Sequence, residues 1–240
     1  SSRGLSELAV RQALSLSTDR ADISQRAYGG KAIAATGTLQ TSAAVTQLDA
    51  SGWTIDPKTG LRSKKGTPLA ISILSNQTPA NQIAAAALAE TWRNLQIQVT
   101  VTTTTDSELT ARIAARTYDV LVLPIALGAD PDPFPFWHSS QVKNPGLNFS
   151  GFSNAKVDQL IAAARTTTNE TLREQKDAEL ENQIAEQGPA IYLSQAAYHY
   201  ALPNELKGVS LTLLPDASYR TFDLPSWYLG EKRSFNAPSN

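Results

Sequence analysis

The 240-residue chain contains no cysteine, which excludes a disulfide-stabilised scaffold, a thiolate zinc site and a cysteine nucleophile. It contains no run near the roughly 20 apolar residues that a transmembrane helix needs. No charge of one sign predominates, because 21 lysines and arginines stand against 22 aspartates and glutamates. Without a basic excess, the chain has little electrostatic attraction for nucleic acid phosphates or for an anionic membrane. We therefore expect no nucleic-acid partner.

Sequence patterns of the common enzyme classes are also absent. The chain has no Gly-x-Ser-x-Gly elbow, no Walker loop, no Gly-x-Gly-x-x-Gly loop and no His-Glu-x-x-His helix. Its two histidines, His138 and His199, are far apart in the sequence. A serine hydrolase could use His138 with Ser139 or Ser140, but residues adjacent in a loop rarely meet in triad geometry. We predict a protein that is not an enzyme and has no cofactor or metal site, with the serine hydrolase as an alternative.

The middle of the chain alternates between strand and helix patterns. Strand segments at 69–74, 97–101 and 120–125 are separated by an amphipathic helix at about 80–95 and by a second helix that Asp106 can cap. Strands and helices that alternate at this spacing form parallel sheets, whose strands are apolar on both faces. The sequence predicts an α/β fold with a largely parallel central sheet, in which the strand at 120–125 is buried on both faces.

Capping residues indicate three further helices. Asp19 can begin a short helix that ends at Gly29, because aspartate accepts hydrogen bonds from first-turn amides and glycine adopts the left-handed conformation that closes a helix. Asn154 can begin a second helix, and Asn169 a third that ends at Gly188.

Turn residues and a long loop complete the pattern. The turn sequences at 56–60 and 64–68 predict a hairpin arm, and the apolar run Ala190–Leu193 predicts a short strand. The segment 127–150 is rich in proline and glycine and follows the last strand of the predicted sheet. Loops of this length are usually functional, and open α/β sheets bind ligands beyond the carboxyl ends of their strands. This segment is therefore the predicted ligand-binding region.

Seven short segments, in a fixed order along the chain, carry a resemblance to a known family. They are 10–20 (with Val-Arg-Gln-Ala-Leu and Thr-Asp-Arg), 48–60 (with Gly-Trp), Tyr118–Val120, Gly128–Pro133, Trp137–Ser140, Asn148–Asp158 and Gly188–Leu193. In this order they resemble the second lobe of the oligopeptide- and dipeptide-binding family of ABC-transporter solute-binding proteins, family 5.

The resemblance implies one lobe of a type II periplasmic binding protein, the C-terminal lobe of a longer receptor. Residues 1–202 would form this lobe, and residues 203–240 would form a C-terminal tail that packs on the N-terminal lobe of the same receptor. The implied function is capture of a peptide or another small solute for import by an ABC permease. The receptor would work outside the cytoplasm, in the periplasm or at the cell surface, as a monomer.

The resemblance also implies binding residues. Asp130 resembles the aspartate that pairs with the α-ammonium group of the ligand in related peptide receptors, through a charge-assisted hydrogen bond inside a cleft. Leu127 and Gly128 would offer backbone groups to an extended ligand, and Trp137 would line the cleft. Two simpler interpretations stay open. Asp130 or Asp132 can begin a turn before a proline, and Trp137 can anchor the loop to the core.

One departure from the family leaves a further alternative open. Family members often place a tryptophan shortly before the loop aspartate, where this chain has Ala126, Leu127 and Gly128. An aromatic wall for a peptide is therefore missing or comes from elsewhere. The alternative is a structural or interaction domain that keeps the α/β scaffold without a ligand.

Overall fold

The chain divides into two compact units. The computed structural model describes residues 3–125, 132–197, 201–210, 219 and 221–230. The main unit comprises Ser1–Pro124 with Pro133–Ala196, and the tail unit comprises Ile125–Asp132 with Ala197–Asn240.

Helices and strands alternate along the main unit. The helices are α1 (Leu8–Leu16), α2 (Arg20–Tyr28), α3 (Thr41–Ala50), α4 (Pro79–Arg93), α5 (Asp106–Ala115), α6 (Phe134–Trp137), α7 (Ala155–Thr166) and α8 (Glu170–Gln187). The strands are β1 (Ala32–Ala34), β2 (Thr54–Ile55), β3 (Arg62–Lys64), β4 (Thr67–Pro68), β5 (Ala70–Asn76), β6 (Gln98–Thr104), β7 (Val120–Val122) and β8 (Ser194–Ala196). None of the helices described in the chain is both long and apolar enough to cross a membrane.

The central sheet of the main unit has the strand order β6–β5–β7, with both neighbours parallel to β5. The predicted α/β fold with a largely parallel sheet is therefore confirmed. β7 is shorter than predicted, since it ends at Val122, and its residues Val120 and Leu121 are only half-buried. The expected burial on both faces is wrong for this strand, because only Val122 of its three residues is buried.

The main hydrophobic core lies between the sheet and α4. Ile71, Ile73 and Val99 belong to one face of the sheet, because side chains alternate along a strand. The amphipathic α4 covers that face with Leu88 and Trp92, and Trp92 is only 1% exposed. Burial of one large aliphatic side chain stabilises such a core by about 1.5–3 kcal/mol. Helices α1, α2 and α3 extend the core with Val10, Leu14, Ile23 and Leu48.

The predicted caps are confirmed for three helices. Asp19 accepts a hydrogen bond from a first-turn N–H of α2 at 3.0 Å, and Gly29 closes that helix in the left-handed region at φ 58°. Asn154 and Asn169 accept first-turn N–H groups of α7 and α8, and Gly188 ends α8.

The cap of α5 lies one residue before the predicted position. Thr105 Oγ1 accepts from the Glu108 N–H at 3.3 Å, and Asp106 is the first residue of the helix. Threonine is also among the residues preferred as the N-terminal cap of a helix, although aspartate is favoured over it. The Asp106 carboxylate instead accepts a hydrogen bond from Asn76.

The predicted hairpin arm is confirmed as the antiparallel strands β2, β3 and β4. Arg62 in β3 fastens this arm to the core, with its side chain only 1% exposed. The guanidinium donates to the Trp53 carbonyl at 2.6 Å, to the Leu95 carbonyl at 2.8 Å and to the Asp49 carboxylate. A buried charge is tolerated only with such partners, so Arg62 joins the arm to α3 and to the turn after α4.

The predicted strand at Ala190–Leu193 is wrong in its position. The strand is β8, at Ser194–Ala196, and it pairs antiparallel with β1. Part of the predicted run makes other hydrogen bonds, since Arg20 Nε donates to the Tyr192 carbonyl at 3.1 Å. The backbone contact with the chain beside β1 begins just before β8, because the Leu193 carbonyl accepts from the Ala35 N–H at 3.0 Å.

A second, smaller apolar cluster joins α7 and α8. Its buried members are Val157, Leu160, Ile161, Leu180 and Ile184, and Phe134, Trp137 and Phe152 pack on it. The start of the chain is tied to the end of α8, because Arg11 Nε and Nη2 donate to the Gln187 carbonyl at 3.1 and 2.8 Å. A cation is favourable at the carbonyl end of a helix.

The tail unit contains a short antiparallel ladder between β9 (Leu206–Lys207) and β10 (Tyr228–Leu229). Some large apolar side chains of this unit are exposed to solvent. Phe222 is 81% exposed and Leu229 is 75% exposed.

Candidate ligand-binding site

Three of the four predicted binding residues, Leu127, Gly128 and Asp130, lie outside the residues that the structure describes. Along the chain, the segment 126–131 follows β7 and precedes α6. In the sequence it is preceded by β7, which ends at the carboxyl edge of the sheet, and followed by residues 133–152, which we call the return loop.

At the carboxyl edge of the sheet, Asn76 connects the starts of two helices. Its amide nitrogen donates to Asp106 Oδ1 at 3.0 Å. Its amide oxygen accepts from Asn81 Nδ2 at 2.9 Å and from the Thr78 N–H at 3.2 Å. The helices α4 and α5 therefore begin near each other at this edge, as expected where each helix follows a parallel strand.

A polar depression of about 440 Å³ lies at this edge, lined by Gln77, Thr78, Thr105 and Asp106. These side chains offer hydroxyl, amide and carboxylate groups that can hydrogen-bond a polar ligand. Small-molecule sites of about 300–1,000 Å³ are lined mainly by apolar and aromatic side chains. The depression has the volume of such a site but not its lining, so it is not a complete ligand pocket.

The return loop is fastened to α7 by Asp158. The Ser139 N–H donates to Asp158 Oδ1 at 2.8 Å, and the Ser139 hydroxyl donates to Asp158 Oδ2 at 2.6 Å. Asp158 lies in the first turn of α7, where the helix dipole favours a carboxylate. One carboxylate therefore holds both the backbone and the side chain of a single loop residue.

Within the return loop, Asn148 is fully buried, with 0% exposure. Its Nδ2 donates to the carbonyls of His138 at 3.2 Å and Phe152 at 2.8 Å, and its Oδ1 accepts from the Ser150 hydroxyl at 2.9 Å. Buried polar groups need such partners. A single amide therefore joins two distant points of the loop.

Arg116 and Tyr118 hold the middle of the return loop from the end of α5. Arg116 donates to the carbonyls of Val142 and Gly146, and the Tyr118 hydroxyl donates to the Phe149 carbonyl at 2.8 Å. The backbone of Arg116 is left-handed, with φ 54°. Such a conformation is uncommon for a residue with a side chain and persists where surrounding contacts determine it. The contacts with the return loop supply that stabilisation.

Trp137, the fourth predicted binding residue, lies in α6. Its ring is half-buried against the second cluster, with its centroid 6.4 Å from that of Phe152 in an edge-to-face arrangement. This packing agrees with the interpretation that Trp137 anchors the loop to the core. Its contact with a ligand stays a prediction.

Of the two contacts that the hydrolase alternative allows, the structure has the one between His138 and Ser140 but not the one between His138 and Ser139. Ser139 donates its hydroxyl to Asp158, whereas His138 Nδ1 lies 2.9 Å from Ser140 Oγ and accepts from the Ser140 N–H at 3.2 Å. His138 Nε2 lies 4.0 Å from Asp158 Oδ1, beyond hydrogen-bond distance. In the described part of the chain, His138 therefore caps a turn, and no hydrogen bond joins it to the Ser139 hydroxyl.

No local pattern in the sequence marks the anchoring roles of Arg116, Asn148 and Asp158. Each acts through hydrogen bonds to the backbone of a distant segment, and such bonds leave no periodicity in the sequence. The only signal was the presence of Asn148 and Asp158 in one of the segments that resemble the family.

The family model described as bacterial extracellular solute-binding proteins, family 5 Middle, matches residues 3–146. The match covers more than half of the chain and includes the whole parallel sheet. The chain therefore belongs to the family 5 bacterial extracellular solute-binding proteins. This confirms the resemblance found in the seven segments.

Two curated relatives are similar to parts of the chain. The oligopeptide-binding protein AppA of Bacillus subtilis is 24% identical over 187 residues, which are 77% of this chain and 34% of the relative. The probable D,D-dipeptide-binding periplasmic protein DdpA of Escherichia coli is 27% identical over 149 residues, which are 59% of this chain and 28% of the relative. The aligned part of the chain spans about a third of the length of these relatives.

Solved structures show the same fold. AppA from Bacillus subtilis in complex with a nonapeptide has a TM-score of 0.78 at 22% identity, covering 95% of this chain and 48% of that one. NikZ from Campylobacter jejuni in complex with Ni(L-His) has a TM-score of 0.74 at 20% identity, covering 94% of this chain and 49% of that one. The expected lobe of a type II periplasmic binding protein is therefore confirmed as a fold.

Proposed function

We propose that the chain is the ligand-binding lobe of a receptor that captures a peptide or another small solute and delivers it to an ABC permease. The observation that carries this proposal is the match of residues 3–146 to a family of solute-binding proteins. AppA was solved with a nonapeptide and NikZ with Ni(L-His). Peptides and small metal chelates are therefore the ligand classes to test first.

The proposed receptor has a second lobe, because the solved receptors are about twice as long as the part that this chain matches. In this proposal, residues 1–202 form the C-terminal lobe and residues 203–240 pack on the N-terminal lobe. Phe222, Leu224 and Leu229 in the tail unit are 81%, 54% and 75% exposed. Several large exposed apolar side chains within one short stretch of chain support a tail that the other lobe covers.

The proposed site keeps the residues that the sequence indicated. Asp130 binds a ligand ammonium group, Leu127 and Gly128 offer backbone hydrogen bonds, and Trp137 lines the cleft. The position of their segment after a strand of a parallel sheet supports this choice, because ligands of open α/β sheets bind at that edge.

The proposed receptor works outside the cytoplasm, in the periplasm or at the cell surface, as a monomer that docks on its permease. Support for this location comes from the family, which is described as extracellular. The family also supports a protein that binds its solute without converting it. The hydrogen bonds of Ser139 agree with this, since its hydroxyl is donated to a carboxylate rather than to His138.

A thermal-shift screen of the intact receptor tests the proposal, with trialanine, a nonapeptide of mixed composition and Ni(L-His) as probes. A ligand at about 100 times its Kd stabilises the folded state by about 2.7 kcal/mol, so a bound probe should raise the melting temperature clearly. Mass spectrometry should then recover the bound peptide uncleaved. No shift with any probe would favour the structural domain. Cleavage that His138→Ala abolishes would favour the hydrolase.

A further inference from the structure

We propose that His138 is a pH-sensitive switch in the return loop, whose neutral ring holds the Ser140 N–H and whose protonated ring gives up that bond and pairs with Asp158. The proposal concerns contacts within the main unit, and it does not depend on a ligand. The residues that form the switch lie in the segment 134–141 and on α7.

The hydrogen bond from Ser140 determines which nitrogen of the neutral ring carries the proton. The Ser140 N–H donates to His138 Nδ1 at 3.2 Å, and this bond makes His138 the cap of the single turn Ser139–Gln141. A backbone N–H can only donate, so Nδ1 carries no proton in this arrangement. The proton of the neutral ring is therefore on Nε2.

Protonation of His138 removes the acceptor of this cap. An imidazolium ring has an N–H at both nitrogens and can only donate. The Ser140 N–H then faces a second donor at Nδ1. The Ser140 hydroxyl, 2.9 Å from Nδ1, can accept from the protonated ring, but that bond does not replace the acceptor of the N–H. The cap of the turn is therefore lost when the ring is charged.

Asp158 offers the protonated ring a new partner. Its Oδ1 lies 4.0 Å from His138 Nε2, and the side chains of Asp158 and His138 are 22% and 23% exposed. A movement of about 1 Å brings the two atoms to the length of a charge-assisted hydrogen bond. The carboxylate can accept this bond as well, because its two oxygens have about four acceptor sites and Ser139 takes two of them.

Arg165 is a second charged group near the ring. Its Cζ lies 4.3 Å from the centroid of the Phe134 ring, and the centroid of the His138 ring lies 4.5 Å from the same point. The guanidinium opposes a further positive charge, whereas the Asp158 carboxylate attracts it. The segments Phe134–Trp137 and Ser139–Gln141 contribute no titratable side chain. Asp158 is therefore the group towards which the charged ring moves.

The backbone of His138 is held by bonds that do not involve its ring. Its N–H donates to the Phe134 carbonyl at 3.1 Å, and its carbonyl accepts from the Gln141 N–H at 3.0 Å and from Asn148 Nδ2 at 3.2 Å. Protonation leaves these three bonds in place. The switch is therefore local, because it changes the partners of the ring and releases the Ser140 N–H.

The test uses the intact receptor as wild type and as His138→Asn, Asp158→Asn and the control Asp177→Asn. Asparagine at position 138 keeps an acceptor for the cap but does not titrate. Asp177 lies on α8, and no hydrogen bond among the described residues joins it to the return loop. Histidine changes its charge most readily between pH 5 and pH 8, so this range is the one to measure.

Two measurements follow the switch across that range. Nuclear magnetic resonance of receptor labelled with 15N-histidine reports the protonation of each ring nitrogen, and the signals of His138 are those missing from His138→Asn. Hydrogen exchange of the Ser140 amide, divided by its intrinsic rate at each pH, reports the cap.

We expect the neutral His138 ring of the wild type to carry its proton on Nε2. The normalised exchange of the Ser140 amide should rise by about two- to ten-fold as the ring is protonated, for the loss of one hydrogen bond, with the same midpoint as the ring. His138→Asn should keep slow exchange throughout. Asp158→Asn should move the midpoint of the ring to lower pH, because the charged form loses its partner, and Asp177→Asn should leave it unchanged.

A neutral ring with its proton on Nδ1 would overturn the inference, and so would Ser140 exchange that does not follow the titration of the ring. If His138→Asn keeps the pH dependence of Ser140, another group causes it and the inference is wrong. A midpoint that stays in place in Asp158→Asn contradicts the pairing with Asp158. The wild type and His138→Asn keep the switch testable if Asp158→Asn folds poorly.

Discussion

The sheet region, residues 3–125, and the helical region, residues 133–187, are stabilised by different interactions. In the sheet region, Ile73 and Trp92 belong to a large apolar core between α4 and the parallel sheet. In the helical region, the buried apolar cluster is much smaller, and the return loop depends on hydrogen bonds that Asn148 donates and that Asp158 accepts. Many packing contacts fix the first region, whereas a few polar groups fix the second.

The two regions should therefore respond differently to a change at one residue. A densely packed core transmits a defect to everything that packs on it. A loop held by single hydrogen bonds can open locally, at a free energy below that of global unfolding. The segment 126–131 lies between the two regions in the sequence.

The largest expected effect on the free energy of unfolding is that of Trp92→Ala, in the sheet region. Trp92 is 1% exposed, and its removal leaves a cavity against the sheet. We expect a loss of about 3–5 kcal/mol in the free energy of unfolding, measured by urea denaturation. Trp137→Ala, at a half-buried tryptophan of the helical region, is the matched control and should cost about half as much. Equal losses for the two variants would contradict the comparison.

The sheet region could be predicted from the sequence because its interactions leave periodic patterns. Alternation in β5 and β6 and the apolar face of α4 placed three elements of the core. The caps at Asp19 and Asn154 are local, and they were also predicted. The strand β8 was misplaced, because its bounds are set by its pairing with β1, which is distant in sequence.

A smaller and more local effect is expected in the helical region, for Asn148→Ala. The change leaves the carbonyls of His138 and Phe152 without a donor from this side chain, at about 1–3 kcal/mol for buried groups that lose their partner. Hydrogen exchange should accelerate within residues 138–152 and stay unchanged in β5. Asn182→Ala, at an exposed position of α8, should change stability by less than about 0.5 kcal/mol. Uniformly faster exchange in both regions would show that the loop does not open separately.

The return loop could not be predicted in this detail. Arg116, Asn148 and Asp158 are ordinary polar residues in the sequence, and their roles come from the backbone groups that the fold brings to them. The candidate binding residue Asp130 came from the family resemblance rather than from any periodicity.

The smallest expected effect concerns the pH dependence of the contact between α7 and α8. A hydrogen bond from Lys156, with further attraction from Lys176, holds the pKa of Glu179 below its ordinary value. A carboxyl whose pKa is lower in the folded state stabilises the fold above about pH 4.3, the pKa of a glutamate in an unfolded chain. This stabilisation is lost as the pH falls through the lower pKa of the folded state.

Glu179→Gln should remove this contribution. Thermal melts between pH 3 and pH 7 should show that the stability of the variant depends slightly less on pH than that of the wild type. The number of protons taken up on unfolding should be lower in the variant by roughly a fraction of one proton. Added salt should reduce the difference, because the groups are exposed. A wild-type and variant pair with identical pH profiles at low salt would show that the ion pair does not contribute.

The central proposal is that the receptor to which this chain belongs binds a solute through Asp130. Calorimetric titration of the intact receptor, as wild type and as Asp130→Asn, with a peptide and its N-acetylated form, tests it most directly. We predict that Asp130→Asn weakens peptide binding by about 2–5 kcal/mol, the usual effect of removing one partner of a buried charge pair, while the melting temperature stays nearly unchanged. The N-acetylated peptide should bind the wild type weakly and lose little more with the variant. A lower melting temperature with unchanged affinity, or two losses that simply add, would contradict the assignment.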